Sequence, residues 1–178
     1  MSNFKLYIAS SIDGYIAKSD GNLDWLTGYP NPDQLDYGYQ DFYDGIDTVI
    51  MGRTTYDEIM GFGVDWPYTN CKSYVITTNK SYQLKTPNTE LINEISTESI
   101  DQIQKGSNKG IWVVGGGRII SEFLNNDAID EMIISIVPII LGDGIRLFPN
   151  KSKETNYEMI NAHTFSNGLT NLHFKRKK

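Results

Sequence analysis

Short apolar runs alternate along this chain with segments in which apolar residues recur every third or fourth position. The runs have the length of buried β-strands and cover residues 4–9, 47–51, 73–77, 111–114 and 132–141. The segments between them have the spacing of amphipathic helices, as in the stretch from Ile119 to Leu124. Two later runs, 157–165 and 169–174, flank Ser166-Asn167-Gly168 and predict a β-hairpin.

Strands that alternate with helices predict a three-layer α/β fold with a mostly parallel central sheet, and the final hairpin should add antiparallel strands. We find no internal repeat, low-complexity segment or linker, so we expect a single domain over residues 1–178. Residues 18–39 are polar and contain Pro30 and Pro32, which predicts a long loop leading into a helix.

Composition and charge argue against several classes of function, namely nucleic-acid, membrane and metal binding. The net charge of −6 argues against nucleic acid or an anionic membrane as a partner. The single cysteine, Cys71, cannot form an internal disulfide, and with only two histidines, His163 and His173, no metal site is expected. No apolar run approaches the length of a membrane span and the first residues do not resemble a signal peptide, so we expect a cytoplasmic protein.

The strongest local signal is Gly115-Gly116-Gly117, between a predicted strand and a predicted helix. Glycines let the backbone approach a bulky anion, and the following helix N-terminus offers free N–H groups and a partial positive charge. A pyrophosphate would fit there; the alternative is a tight turn without a ligand. The glycine pattern of the Rossmann fingerprint fits badly, because it requires a glycine where Ile120 stands.

Two other strand ends carry similar chemistry. Gly52-Arg53-Thr54-Thr55 offers a close backbone approach, a guanidinium fork and hydroxyl donors, and Thr77-Thr78-Asn79-Lys80 offers hydroxyls and an ammonium. Each motif alone is also typical of an ordinary polar turn. Ligands of open α/β sheets bind outside the carboxyl ends of the strands, so the three ends together predict one nucleotide site.

The order of these motifs resembles the dihydrofolate reductase superfamily, most closely the reductase domain of the bifunctional riboflavin-biosynthesis deaminase–reductase. The resemblance runs from Phe4 to Phe174. It is carried by SIDGYIA (11–17), GNLDW (21–25), VIMGRTTY (49–56), VVGGGR (113–118) and PIILGDG (138–144).

The resemblance implies that NADPH is the cofactor and that hydride passes from its nicotinamide to a C=N or C=O bond. It implies nicotinamide contacts near Ala9, Ile16 and Trp25, for which core packing is the alternative, and a cis peptide between Gly115 and Gly116. A cation and hydroxyls near the 2′-phosphate favour NADPH over NADH. The residues so assigned to the cofactor are Ala9, Ile16, Trp25, Gly52, Arg53, Thr54, Thr55, Thr77, Thr78, Lys80, Val114, Gly115, Gly116, Gly117, Arg118 and Ile119.

The substrate implied by the resemblance is a small heterocycle, a pyrimidine-like riboflavin precursor. Dihydrofolate or another pterin is the enzymatic alternative, and a non-catalytic NADP(H)-binding protein is the alternative of another class. A phosphorylated sugar would need an anchor, for which Lys18 and Arg146 are candidates unless they are ordinary surface charges.

Asp36 is the candidate proton donor, by its spacing before Gly52 and by resemblance to folate reductases, which carry a carboxylate in the first helix. Such an acid needs a raised pKa. The alternative for Asp36 is a helix-capping or solvated residue, and for Asp13 a turn former. A homodimer is expected from the resemblance and from the apolar run 132–141, although that run also fits a buried central strand.

Overall fold

An eight-stranded sheet forms the centre of the computed structural model, which describes residues 2–149 and 152–177. The strands are β1 (Phe4–Ser11), β2 (Tyr15–Ala17), β3 (Ile46–Gly52), β4 (Lys72–Ile76), β5 (Thr89–Ile92), β6 (Gly110–Gly115), β7 (Glu131–Val137), β8 (Ile145–Arg146), β9 (Tyr157–Thr164) and β10 (Thr170–Arg176). The helices are α1 (Asp24–Thr27), α2 (Tyr39–Asp44), α3 (Arg53–Gly61), α4 (Thr97–Gly106) and α5 (Gly117–Asn125).

The sheet order is β5-β4-β3-β6-β1-β7-β10-β9, and β2 pairs with β8 in a separate two-stranded sheet. Neighbouring strands from β5 to β7 run parallel, and β10 and β9 run antiparallel at the far edge. Connections between parallel neighbours must cross over the sheet, which is why α3 and α5 lie between strands. The predicted mostly parallel sheet with a C-terminal antiparallel hairpin is therefore confirmed.

Two cores on opposite faces of the sheet make the three layers. In β3, Ile50 packs into one core, and Val49 and Met51 pack into the other. Helices α4 and α5 cover the first face, where Phe123 lies against Phe4, and α3 covers the second face. This alternation follows from the two-residue period of a strand, which leaves a central parallel strand apolar on both sides.

The predicted strand 132–141 is too long, because β7 ends at Val137, directly before Pro138. Proline has no N–H to continue the ladder. β7 lies between β1 and β10, and its side chains Met132, Ile134 and Val137 are buried in the core. The run therefore gives no support for a homodimer, which remains a prediction from the resemblance alone.

Asp13 ties the turn between β1 and β2 to the segment after β7. Its carboxylate accepts hydrogen bonds from the Ser11 hydroxyl at 2.7 Å and from the backbone N–H groups of Leu141 and Gly142 at 3.1 and 2.7 Å. The Ser11 hydroxyl, with help from these N–H groups, lowers the pKa of Asp13 to about 2. Asp13 thus has the structural role of a turn former.

Candidate cofactor and substrate site

A cavity of about 1090 Å³ opens where the parallel strands end and their helices begin. Its size is that of a small-molecule site, and its position is the usual one for ligands of open α/β sheets. The predicted site residues that line it are Ala9, Ile16, Asp36, Gly52, Arg53, Thr54, Thr55, Thr77, Thr78, Val114, Gly116, Gly117, Arg118 and Ile119. One concave surface therefore collects residues that are far apart in sequence.

Three assigned residues are not in the wall of this cavity. Trp25 is buried against Val137 and Leu169, which matches the alternative of core packing. Lys80 is exposed on the loop after β4, beyond the lining residues. Gly115 lies behind the wall and is joined to Gly116 by a cis peptide bond, as the resemblance implies. We therefore leave Trp25 and Lys80 out of the site that we propose.

The three consecutive glycines have three different structural contexts. Gly115 has a φ of +131°, a conformation that side chains with a Cβ rarely adopt. At Gly117 an added Cβ would collide with the backbone carbonyl oxygen of Arg146. At Gly116 the φ is −78° and an added Cβ would meet only the Thr55 hydroxyl at 3.7 Å, an ordinary contact. Packing thus accounts for Gly117 and backbone conformation for Gly115, but neither requires glycine at position 116.

The turn from β3 into α3 lies directly beside the glycine turn in the cavity wall. A Cβ at Gly52 would lie 3.1 Å from Cγ1 of Ile119, so the two helix starts are closely packed. The Arg53 guanidinium donates to the Asp57 carboxylate at 2.6 Å, one helical turn along, and Asp57 also accepts from the Tyr82 hydroxyl. This pairing orients Arg53 while roughly half of its side chain stays exposed.

The end of β4 is organised by Thr77. Its side chain is buried, and its hydroxyl oxygen accepts a hydrogen bond from the Asn79 N–H at 3.2 Å. Its carbonyl oxygen accepts from the Asn93 amide at 2.8 Å, which draws the segment after β5 into the cavity wall. Thr77 therefore shapes the turn, and Thr78, which is exposed, is better placed to meet a ligand.

A second group of polar residues, which we did not predict from the sequence, lies near the centre of the sheet. Tyr7, Tyr37 and Ser135 line the cavity, and Asn171 is hydrogen-bonded to two of them. The Tyr7 hydroxyl donates to the Tyr37 carbonyl oxygen at 3.0 Å, and that oxygen also accepts from the Asn171 amide at 2.7 Å. The Ser135 hydroxyl donates to the Asn171 side-chain oxygen at 2.6 Å. We call Tyr7, Tyr37, Ser135 and Asn171 the polar cluster.

Burial raises the pKa of Tyr7 above its ordinary value, although its hydrogen bonds to Ser135 and Asn171 act in the opposite direction. The polar cluster is therefore uncharged at neutral pH. A signal for Tyr7 was present in the sequence, because it stands two residues before Ala9 and side chains at that spacing point to the same side of a strand. Ser135 and Asn171 carried no such signal.

Asp36 lines the cavity, but its environment does not suit a proton donor. Its carboxylate accepts hydrogen bonds from the backbone N–H groups of Gly38 at 3.0 Å and Gln40 at 3.2 Å. The Gly38 bond, followed by the Gln40 bond, lowers the pKa of Asp36. This direction is opposite to the one that a proton donor needs, and Asp36 binds free N–H groups at the start of α2, as in the helix-capping alternative.

The aromatic residues that follow Asp36 in the chain pack against one another and against the second core. Tyr39 and Phe42 make edge contacts with Trp112, at ring centroid distances of 5.9 and 5.4 Å, and Tyr43 stacks on Tyr39. They form one wall of the second core. Asp36 itself is exposed at the cavity mouth.

The two candidate phosphate anchors do not line the cavity. The Arg146 guanidinium lies over the Tyr15 ring, 5.1 Å from its centroid, and Lys18 is exposed on the segment after β2. Within residues 2–149 and 152–177, no helix is long and apolar enough to cross a membrane. The same residues contain no group of three or more His, Cys, Asp or Glu side chains that could hold a metal ion.

Comparison with known proteins places this chain in a family. The family model described as RibD C-terminal domain matches residues 5–171. The chain is 38% identical over 172 residues to the uncharacterized protein YwjB of Bacillus subtilis (strain 168), covering 96% of each chain. It is 30% identical over 177 residues to the uncharacterized protein YyaP of the same organism, covering 94% of this chain and 91% of YyaP.

Solved structures agree with that placement. A structure from Shewanella sp. PV-4, named for riboflavin biosynthesis, is 32% identical with a TM-score of 0.87, and the match covers 99% of each chain. Two structures at 20% identity share the fold. One is the bifunctional deaminase/reductase of Thermotoga maritima (TM-score 0.72, 99% of this chain and 57% of that one). The other is the dihydrofolate reductase of Enterococcus faecalis in complex with NADP(H) (TM-score 0.71, 99% of this chain and 97% of that one). Because the family model matches nearly the whole length, the chain belongs to the RibD C-terminal domain family, and it shares its fold with a dihydrofolate reductase.

Proposed function

We propose that this protein is an NADPH-dependent reductase of a small, pyrimidine-like heterocycle. The observation that carries the proposal is Gly116. Among residues 2–149 and 152–177, no neighbouring atom excludes a side chain there, so a glycine that faces the cavity is best explained by a ligand that approaches its backbone. It begins α5, whose first-turn N–H groups have no partner within the helix and favour a phosphate.

The residues present fit a dinucleotide phosphate. Gly116 and Arg118 would hold the pyrophosphate at the start of α5, and Arg53 and Thr54 would contact phosphate at the start of α3. Thr78 lies at the neighbouring strand end, where its hydroxyl, together with the Arg53 guanidinium, suits a 2′-phosphate. This set of donors supports NADPH over NADH because a guanidinium and a hydroxyl would meet the 2′-phosphate that NADH lacks.

The nicotinamide, when bound, supplies the hydride. Ala9 and Ile16 would lie beside it, because they belong to the apolar part of the wall. The polar cluster borders the remaining space, where the Tyr7 and Ser135 hydroxyls could orient a planar ring. Asp36 is ionised at neutral pH, so we assign it hydrogen bonds from ring N–H groups, and we assign the proton that completes reduction to water entering at the open mouth.

The test is an NADPH-oxidation assay with three substrates side by side: 5-amino-6-(5-phosphoribosylamino)uracil, its unphosphorylated form and dihydrofolate. We expect steady oxidation with a pyrimidine and little with dihydrofolate. Faster turnover of dihydrofolate would favour the pterin alternative. NADPH binding without oxidation of any substrate would favour the non-catalytic alternative.

Cofactor choice needs its own measurement. Trp112 lines the cavity, so its fluorescence should report titrations with NADPH and with NADH. We expect clearly tighter binding of NADPH. Equal affinities for the two cofactors would refute the assignment of the 2′-phosphate site.

A further inference from the structure

The charged side chains that line the cavity are distributed unevenly. Among the described lining residues the only cations are Arg53 and Arg118, each in the first turn of a helix that starts at a proposed phosphate site. The lining carboxylates are Asp36, Glu58, Glu94 and Glu122. If the two arginines are used by cofactor phosphates, no cation among the described lining residues is left for the substrate, whereas carboxylates are.

Glu58 brings a carboxylate into that part. It lies in α3, four residues after Thr54, and its Oε1 is 3.4 Å from where a Cβ of Gly21 would stand, so it faces the loop between β2 and α1. In the described part of the chain, its carboxylate accepts no hydrogen bond and forms no ion pair. Desolvation, with a smaller contribution from Asp57, raises the pKa of Glu58, which is the effect expected of a carboxylate without a partner.

Asp36 brings a second carboxylate, next to the polar cluster. Its charge acts on Tyr7, whose hydroxyl donates to the carbonyl of the residue after Asp36. The polar cluster itself contains hydroxyl, amide and carbonyl groups and no charge. A ligand in this space would therefore meet hydrogen-bond acceptors and negative potential.

We infer that this cavity selects an uncharged or cationic heterocycle rich in N–H or O–H donors, and that it disfavours a substrate with a phosphate or carboxylate tail. The inference rests on the proposed function, because it places the cofactor phosphates on the arginines. Like charges brought together across a binding site cost affinity, whereas carboxylates accept well from ring N–H and amino groups. The positions of Lys18 and Arg146 outside the lining agree with this selection.

An uncharged substrate differs from the one that the family resemblance implies. The riboflavin precursor inferred from that resemblance is phosphorylated, and folates have a carboxylate tail. The unphosphorylated form of the same pyrimidine keeps the donors and removes the charge. We therefore expect the unphosphorylated form to be the better ligand.

Binding to the protein loaded with NADP⁺, which cannot donate hydride, gives a direct test. The probes are 5-amino-6-(ribosylamino)uracil and its 5′-phosphate, titrated separately and followed by Trp112 fluorescence. We expect the unphosphorylated probe to bind about tenfold more tightly, since one or two nearby carboxylates in a partly solvated cavity produce an effect of this order. The difference should shrink as salt is added.

Matched variants assign the effect to the cavity. Glu58→Gln should reduce the difference between the two probes severalfold by improving binding of the phosphate, whereas Glu154→Gln, the same change at an exposed position outside the lining, should leave it unchanged. Equal or tighter binding of the phosphorylated probe, or a difference that Glu58→Gln does not alter, would overturn the inference. If neither probe binds although NADP⁺ does, the inference is overturned and the cofactor assignment stands; if NADP⁺ itself does not bind, the proposed function fails first.

Discussion

Replacing Gly116 by alanine separates a ligand-binding glycine from a structural one. The new Cβ would lie 3.7 Å from the Thr55 hydroxyl, which is ordinary van der Waals contact, and the φ of −78° is available to alanine. The lower backbone entropy of the unfolded alanine chain stabilises by about 0.4–1 kcal/mol. Alanine is a poorer N-cap than glycine by a comparable amount. We therefore expect the melting temperature of Gly116→Ala to stay within about 2 °C of the parent, since one kcal/mol corresponds to roughly 2–4 °C at this size.

NADPH affinity should respond quite differently. The methyl group would occupy space that a phosphate needs, and overfilling a close contact costs about 1–3 kcal/mol. That free energy corresponds to a rise in Kd of about 5- to 150-fold. The measurement is an NADPH titration followed by Trp112 fluorescence, together with thermal unfolding of the same preparation.

Two matched variants make this result interpretable. Gly61→Ala makes the same chemical change at the end of α3, where an added Cβ meets nothing within 4 Å, and should leave both Kd and melting temperature close to the parent values. Gly117→Ala places its Cβ against the Arg146 carbonyl oxygen and should lower the melting temperature by several degrees. Parental NADPH affinity in Gly116→Ala would refute our explanation of this glycine, and with it the observation that carries the proposed function.

Three further predictions follow from individual charges. Arg53→Gln should weaken NADPH about tenfold while NADH changes little, because the lost bond is charge-assisted; equal losses in paired titrations would contradict the 2′-phosphate assignment. Asp36→Asn should raise the KM of the heterocycle. The shape of the kcat–pH profile should stay unchanged between about pH 5 and about pH 9, since Asp36 is already ionised there. A profile that changes shape would identify Asp36 as the acid. The lowered pKa of Asp13 stabilises the fold fully above about pH 3.9, the unfolded value, and this contribution is lost as pH falls towards about 2. Melting temperatures across that window should therefore fall less steeply for Asp13→Asn than for the parent, and parallel curves would show that the Asp13 bonds do not favour the folded state.

Patterns local to the chain predicted most elements of the fold and the three strand ends that line the cavity. The two-residue period of β3 and the helical spacing after Ile119 depend on neighbours in sequence, so they are visible without coordinates. The same holds for a glycine run before a helix, because a strand-to-helix turn is itself a local structure. The end of β7 was misjudged although Pro138 was visible, since the apolar run continues past it.

Tertiary structure decided which polar and charged groups surround the part of the cavity next to the polar cluster. The polar cluster combines a residue of β1, one before α2, one of β7 and one of β10, and only the sheet order brings them together. The pKa of Asp36 depends on two N–H groups that the start of α2 directs at its carboxylate. Glu58 lines the cavity next to the loop at Gly21, a segment more than thirty residues earlier in the chain. Sequence alone determined which segments become strands and helices, because that depends on residues a few positions apart. It did not determine the charge that a substrate meets, because electrostatic interactions depend on distances in space between residues that are far apart along the chain.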